Sequence, residues 1–146
     1  MPIIRCLIID NYDSFTFNIR ERLGVLGVDA CVVRNDEVTL QDIAGFCPTH
    51  IILGPGPGTP EHPEDVGVSF DAITYAEKHR IPLLGICLGH QVLAKHFGGR
   101  IVQAPRIVHG SLSRLARVMH SLPFPDLFDG YTEAMDVMRY HSLAAE

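Results

Sequence analysis

Residues 3–9 are apolar at every position except Arg5, and Asp10-Asn11 ends the run. Unbroken hydrophobicity over strand length, without polar alternation, predicts a central β-strand covered on both faces. Asp13-Ser14 then precede Phe15, Phe17, Ile19, Leu23, Val25 and Leu26 at helical spacing, with Gly24 or Gly27 to close the helix. Either polar residue is suited to cap it. The same reading gives a second strand at 29–33, a short helix at 39–46 capped by Thr39, and a third strand at 50–53 that runs into a Gly/Pro loop. A helix follows over 66–78, then a strand at 81–86 and a helical pattern from Gln91 to Phe97. Strands and helices alternating through short connections predict an α/β fold, a flavodoxin-like, doubly wound, mainly parallel sheet with helices on both faces. After residue 99 the pattern changes to short strands at 100–103, 106–108, 111–118 and 134–138 with Pro and Gly between them, which predicts a small antiparallel addition.

The junction of the 81–86 strand with the helix after it holds Cys87, bracketed by Gly85 and Gly89. A sharp strand-to-helix turn leaves no room for Cβ atoms beside it and pushes the residue at its tip out over the sheet edge, where a nucleophile is useful. The helix N-terminus facing the sulfur is expected to favour thiolate. A buried cysteine packed as a small hydrophobe is the bland alternative; the glycine bracket speaks for function. In a parallel sheet ligands bind beyond the carboxyl ends of the strands, which brings three loops into play: 10–14, 54–58 and 87–91. Gly54-Pro55-Gly56-Pro57-Gly58 is stiffened by its prolines and opened by its glycines, so its N–H groups can approach a ligand. It could be no more than a rigid turn, and it lacks the Lys-Ser/Thr ending of a phosphate loop. Beside a nucleophilic cysteine the same amides make an oxyanion hole.

The chain has 146 residues, 47% hydrophobic and 20% charged, which suits one globular domain. Its longest apolar runs are of strand length and its start lacks a signal-peptide pattern, so no membrane span is expected and a cytoplasmic location is. A net charge of −5 without a basic stripe argues against nucleic acid. Four cysteines without a C-x-x-C pair and eight histidines without metal spacing predict no metal site. Cys6 and Cys31, both in strand-like runs, are expected in the core. His62-Pro63-Glu64 reads as a surface turn.

Several of these motifs, in this order, carry a resemblance. The segment Gly85 to Gln91 resembles the nucleophile motif of class I (triad) glutamine amidotransferases. Ile9-Asp10-Asn11-Tyr12-Asp13-Ser14-Phe15-Thr16-Phe17-Asn18 is similar to the N-terminal signature of one branch, the glutaminase subunits of anthranilate synthase and aminodeoxychorismate synthase. Arg34-Asn35-Asp36, Gly54 to Gly58, His109-Gly110 and Tyr140-His141-Ser142-Leu143 occur in that branch's order. The resemblance implies that Cys87 attacks the side-chain amide of L-glutamine, that the amides of Leu88 and Gly56 hold the oxyanion, and that Gly56, Pro57, Gly58, Gln91, Ser142 and Leu143 bind the substrate. It implies no cofactor, and a heteromer in which ammonia passes to a chorismate-binding synthase subunit of tryptophan or folate synthesis. His109, Gly110 and Ser111 are then candidates for touching that partner, with Ser111 where the family commonly has lysine.

Triad chemistry also needs a base and a carboxylate to orient it, which the family supplies from a His-Pro-Glu segment after the Tyr-His-Ser-Leu motif. These 146 residues stop before it. A truncated glutaminase domain is therefore expected, poorly active alone. The alternatives are a non-catalytic module that keeps the fold, and a cysteine hydrolase of another flavodoxin-like family.

Overall fold

Cys6–Asp10 (β1) is buried at all five positions, as its unbroken hydrophobicity requires. It pairs in parallel with Ala30–Arg34 (β2) on one side and His50–Leu53 (β3) on the other, and β3 pairs in parallel with Leu83–Gly85 (β4). The order β2-β1-β3-β4 is that of a doubly wound sheet. The computed structural model describes residues 3–115 and 134–146. The chain divides into two units, Met1–Val102 with Ala144–Glu146, and Gln103–Leu143.

Alternation along the strands sorts the core of the first unit into two layers. Leu7, Ile9, Ile51 and Leu53 point to one face, where Leu40–Phe46 (α2), Ser69–His79 (α4) and Leu88–His96 (α5) supply Ile43, Ala72, Ile73, Ala76, Leu88 and Val92. Cys6, Ile8, Ala30 and Ile52 point to the other, where Thr16–Val25 (α1) brings Ile19 and Leu23. Helices thus cover both faces, as expected.

The local signals were read with mixed success. Thr39 caps α2 through a reciprocal box with Asp42; its hydroxyl accepts from the Asp42 N–H, and the carboxylate accepts from Thr39. Neither Asp13 nor Ser14 caps α1, which starts behind Phe15 without a side-chain cap. Asp13 instead accepts from the Phe15 N–H at 2.8 Å, tightening the turn one step earlier. His62-Pro63-Glu64 is not a plain turn: His62 precedes a four-residue helix, Pro63–Val66 (α3), with proline at its first position. Cys31 is exposed rather than buried, because β2 lies at the sheet edge and one of its faces is open.

A short two-stranded sheet joins Ile101–Gln103 (β5) to Leu143–Ala145 (β8). In the second unit Ser111–Leu115 (β6) and Met135–Arg139 (β7) form the expected antiparallel pair, Ser111 opposite Arg139 and Leu115 opposite Met135. The strand expected at 106–108 is absent and that stretch runs as bends and coil; Pro105 removes a donor just ahead of it. Residues 116–118 of the expected 111–118 strand lie outside the described residues.

Candidate active site at the carboxyl edge of the sheet

At the junction of β4 and α5 the backbone turns through Cys87 at φ 52° and ψ −109°, a conformation L-residues avoid and functional sites tolerate. The turn is possible because Gly85 and Gly89 lie back to back: a Cβ on Gly85 would sit 2.5 Å from the Gly89 carbonyl oxygen, and one on Gly89 would strike the Leu53 carbonyl. The Gly89 N–H also donates to Gly54 O at 3.2 Å, tying the cysteine turn to the Gly/Pro loop. Gly89→Ala is therefore expected to lower unfolding free energy by at least the ~1–3 kcal/mol typical of overpacking. Urea denaturation checks this, and an unchanged midpoint would contradict the packing.

Cys87 is exposed, and the backbone amides of Leu88 and Gly56 both act on its thiol, each pulling the pKa down. Leu88 opens α5; Gly56 comes from the loop after β3. Gly56 is the residue of that loop whose amide acts on the thiol, and it lies beside Leu88. Gly56 must be glycine here, because its Cβ would lie 2.5 Å from both the carbonyl oxygen and Cβ of Asn11. The two loops after β1 and β3 meet at this point, where the strand order reverses.

The expectation that the helix N-terminus favours thiolate is outweighed by the rest of the surroundings. Partial desolvation pushes the Cys87 thiol up from its ordinary value; the Leu88 amide pulls it down, the Asp13 carboxylate pushes it up, and the Gly56 amide pulls it down. The surrounding loops crowd the sulfur even though the residue keeps open surface, and the net direction is upward. The sign for Asp13 is simple: a negative charge nearby disfavours a second one. Asp13→Asn is thus expected to move the pH profile of Cys87 alkylation by iodoacetamide to lower pH, since only thiolate reacts. A profile that stays put, or moves up, would contradict the placement of that carboxylate.

Gln91, in the first turn of α5, is only 7% exposed, and among the described residues its Oε1 has no hydrogen-bond partner. An ordinary exposed helix residue would not be placed so; a dry buried acceptor costs about 1–3 kcal/mol. Ser142 and Leu143 belong to the second unit. There the Ser142 carbonyl accepts from the Ala104 N–H at 2.8 Å, and His141 Nδ1 meets the Leu143 carbonyl at 2.7 Å, bracing the turn. His109 packs edge-on against Tyr140 at 5.3 Å. Gly110, at φ 73°, donates to the Arg139 carbonyl at 2.8 Å and leads into Ser111 at the start of β6. Among the described residues no three His, Cys, Asp or Glu side chains converge as a metal site.

One part of the site escaped the sequence reading. Asn11 and Asn35, 1% and 2% exposed, link the loops after β1, β2 and β3. Asn11 Nδ2 donates to Gly54 O at 2.8 Å, and Asn35 Nδ2 donates to Asn11 Oδ1 and to Asp65 O, each at 2.9 Å. Asp65 in turn accepts from the Thr59 N–H at 2.9 Å. Asp10 anchors the first loop, accepting from Thr16 Oγ1 at 2.6 Å and from the Asp13 N–H at 3.2 Å. An asparagine one step past the ends of β1 and β2 is the local mark these residues leave in the sequence, and it does not show that the two meet.

The family described as glutamine amidotransferase class-I matches residues 7–146. Anthranilate synthase component 2 of Saccharolobus solfataricus is 46% identical over 140 residues, which is 96% of this chain and 70% of that protein. Aminodeoxychorismate synthase component 2 of Escherichia coli is 42% identical over 140 residues, again 96% of this chain and 70% of that protein. The crystal structure of a glutamine amidotransferase from Thermotoga maritima has the same fold, with a TM-score of 0.76 at 18% identity over 100% of this chain and 64% of that one.

Proposed function

The chain belongs to the class-I glutamine amidotransferase family, and from that premise we propose that Cys87 is the nucleophile of a glutaminase whose oxyanion hole is the Leu88 and Gly56 amide pair. The sulfur adds to the side-chain amide carbon of L-glutamine. The carbonyl oxygen becomes an oxyanion between the two N–H groups, and collapse expels ammonia, the amide nitrogen taking up the proton that the thiol gave to the general base. The γ-glutamyl thioester left behind is hydrolysed by water to glutamate. Splitting one hard displacement into two easier ones is the gain from the covalent route, and each preorganised donor typically lowers the barrier by about 2.7–4 kcal/mol.

The observation that carries this reading is a strained cysteine turn laid against the Gly/Pro loop, the Gly89 N–H bonded to Gly54 O and Gly56 backed onto Leu88, with the Leu88 and Gly56 amides both easing charge onto the sulfur. Gln91, with its buried, unpartnered oxygen among the described residues, is suited to receive the α-ammonium group of glutamine; for Ser142 and Leu143 the support is the family resemblance alone.

The relatives are named as component 2 of anthranilate and aminodeoxychorismate synthases. By that kinship the ammonia passes to a chorismate-binding larger subunit, giving anthranilate or 4-amino-4-deoxychorismate, with the His109-Gly110-Ser111 turn as a contact to it. A purely binding module would have no use for the backbone strain at Cys87. Hydroxylamine offered with L-glutamine tests the reading: the thioester should be diverted to γ-glutamyl hydroxamate, and its absence during active glutamine turnover would rule the intermediate out.

A further inference from the structure

The Gly/Pro loop places one of the two oxyanion donors, yet it has no secondary structure of its own between β3 and α3. Its position is set from beneath. Asn11 Nδ2 holds the Gly54 carbonyl two residues before the Gly56 donor, and Asp65 holds the Thr59 N–H three residues after it. Asn35 joins the two anchors, giving one N–H to Asn11 Oδ1 and the other to the Asp65 carbonyl. Its own backbone is fixed on both sides, its N–H donating to Asp10 O at 3.0 Å and its carbonyl accepting from Val68 N–H at 2.8 Å. The clamp therefore spans the loops after β1, β2 and β3 and brackets Gly56, which itself lies against the Asn11 backbone.

We propose that Asn11 and Asn35 are positioning residues that hold the Gly56 N–H at the Cys87 sulfur, so that the oxyanion hole is assembled before substrate arrives. The proposal rests on the oxyanion reading above and adds the residues that make that hole rigid. A role in stability alone does not explain the chemistry chosen. Both side chains are buried amides, and Asn35 Oδ1 is left without a partner among the described residues, a cost an apolar residue of similar size would avoid. What an apolar pair could not do is hold the Gly54 carbonyl of the loop, and the backbone of the Asp65 that grips Thr59, at hydrogen-bond distance. Preorganised donors gain their value from not having to reorganise when charge develops, and a small displacement near the reacting atoms is costly.

The test uses glutamate γ-semialdehyde, which adds reversibly to a thiol and places an oxygen where the oxyanion forms, against L-glutamine as a ground-state ligand. Both are measured on the protein as its gene encodes it, with folding followed by thermal melting. In folded Asn11→Ala the aldehyde is expected to bind at least about tenfold more weakly, a fraction of the ~10²–10³ seen when a donor is lost outright. Glutamine affinity should change by less than about twofold. The alkylation profile of Cys87 should also move to higher pH, because the thiolate loses the Gly56 donor. Asn35→Ala leaves Asn11 in place and is the second variant, expected to shift aldehyde binding in the same direction by a smaller factor. Equal weakening of aldehyde and glutamine, or no change in aldehyde binding in whichever variant folds, would overturn the proposal. Failure of the unsubstituted protein to form the aldehyde adduct at Cys87 would instead overturn the oxyanion reading itself.

Discussion

Replacing Cys87 by alanine is expected to lower glutamine-dependent ammonia release by on the order of 10⁴–10⁶ in the protein as its gene encodes it, the loss typical of removing a nucleophile from a catalytic unit. In the proposed mechanism the sulfur is the atom that bonds to substrate, and neither the Leu88 nor the Gly56 amide could replace it. What survives is the background supplied by binding and by those amides. Because Cys87 is exposed and its unusual φ is imposed by the glycines around it, alanine should take the same backbone with little change in thermal stability. Cys87→Ser is expected to be nearly as inactive, since a hydroxyl without a strong base is a far weaker nucleophile than a thiol. Glutamate formation under saturating glutamine is the measurement, and a Cys87→Ala rate within tenfold of the parent would contradict the assignment.

The second large effect concerns the proton. The charged group that bears on the Cys87 thiol is Asp13, which holds the proton on rather than helping it off. Partial desolvation acts in the same direction. A thiol raised in this way needs a base to reach the reactive state at neutral pH. Glutamine turnover is accordingly expected to fall by about tenfold per pH unit on the acid side of the Cys87 titration, where the thiol holds its proton, and Asp13→Asn is expected to shift that limb to lower pH. Steady-state ammonia release as a function of pH measures this, and a flat acid limb, or one that stays in place in the variant, would contradict it.

How far the site could be read before the fold was known depended on how local each signal was. The unbroken run ending at Asp10, the Thr39 box and the glycine bracket around Cys87 are short-range features, and each appears where the residues placed it. Edge and interior strands, by contrast, differ in their neighbours rather than in their own sequence, which is why Cys31 was misplaced. β8 was not foreseen because three residues are too few for a periodicity and its pairing partner lies 40 residues away, across β5. The buried Asn11 and Asn35 pair was invisible for the same physical reason: its hydrogen bonds join positions 24 and 43 apart in the chain. Asparagine after a strand reads as a turn residue, and only the sheet order brings the two turns together. The burial of Gln91 follows from α5 lying across β3 and β4, which the helical pattern by itself does not fix.

The upward push on the thiol has a consequence for how the enzyme is used. A nucleophile held protonated in the resting state is protected from oxidation and stray electrophiles, since both act on thiolate. The amides of Leu88 and Gly56 contribute most once negative charge moves onto the substrate oxygen, which is where differential binding lowers a barrier.

The central claim is that Cys87, and not Cys6, Cys31 or Cys47, is the residue that bonds to glutamine over the Leu88 and Gly56 amides. Reaction of the protein with a diazoketone analogue of glutamine, followed by mass spectrometry of its peptides, tests it most directly. A single adduct on Cys87 that excess L-glutamine suppresses is the predicted result; a glutamine-suppressible adduct on any other residue, with Cys87 unmodified, would contradict it.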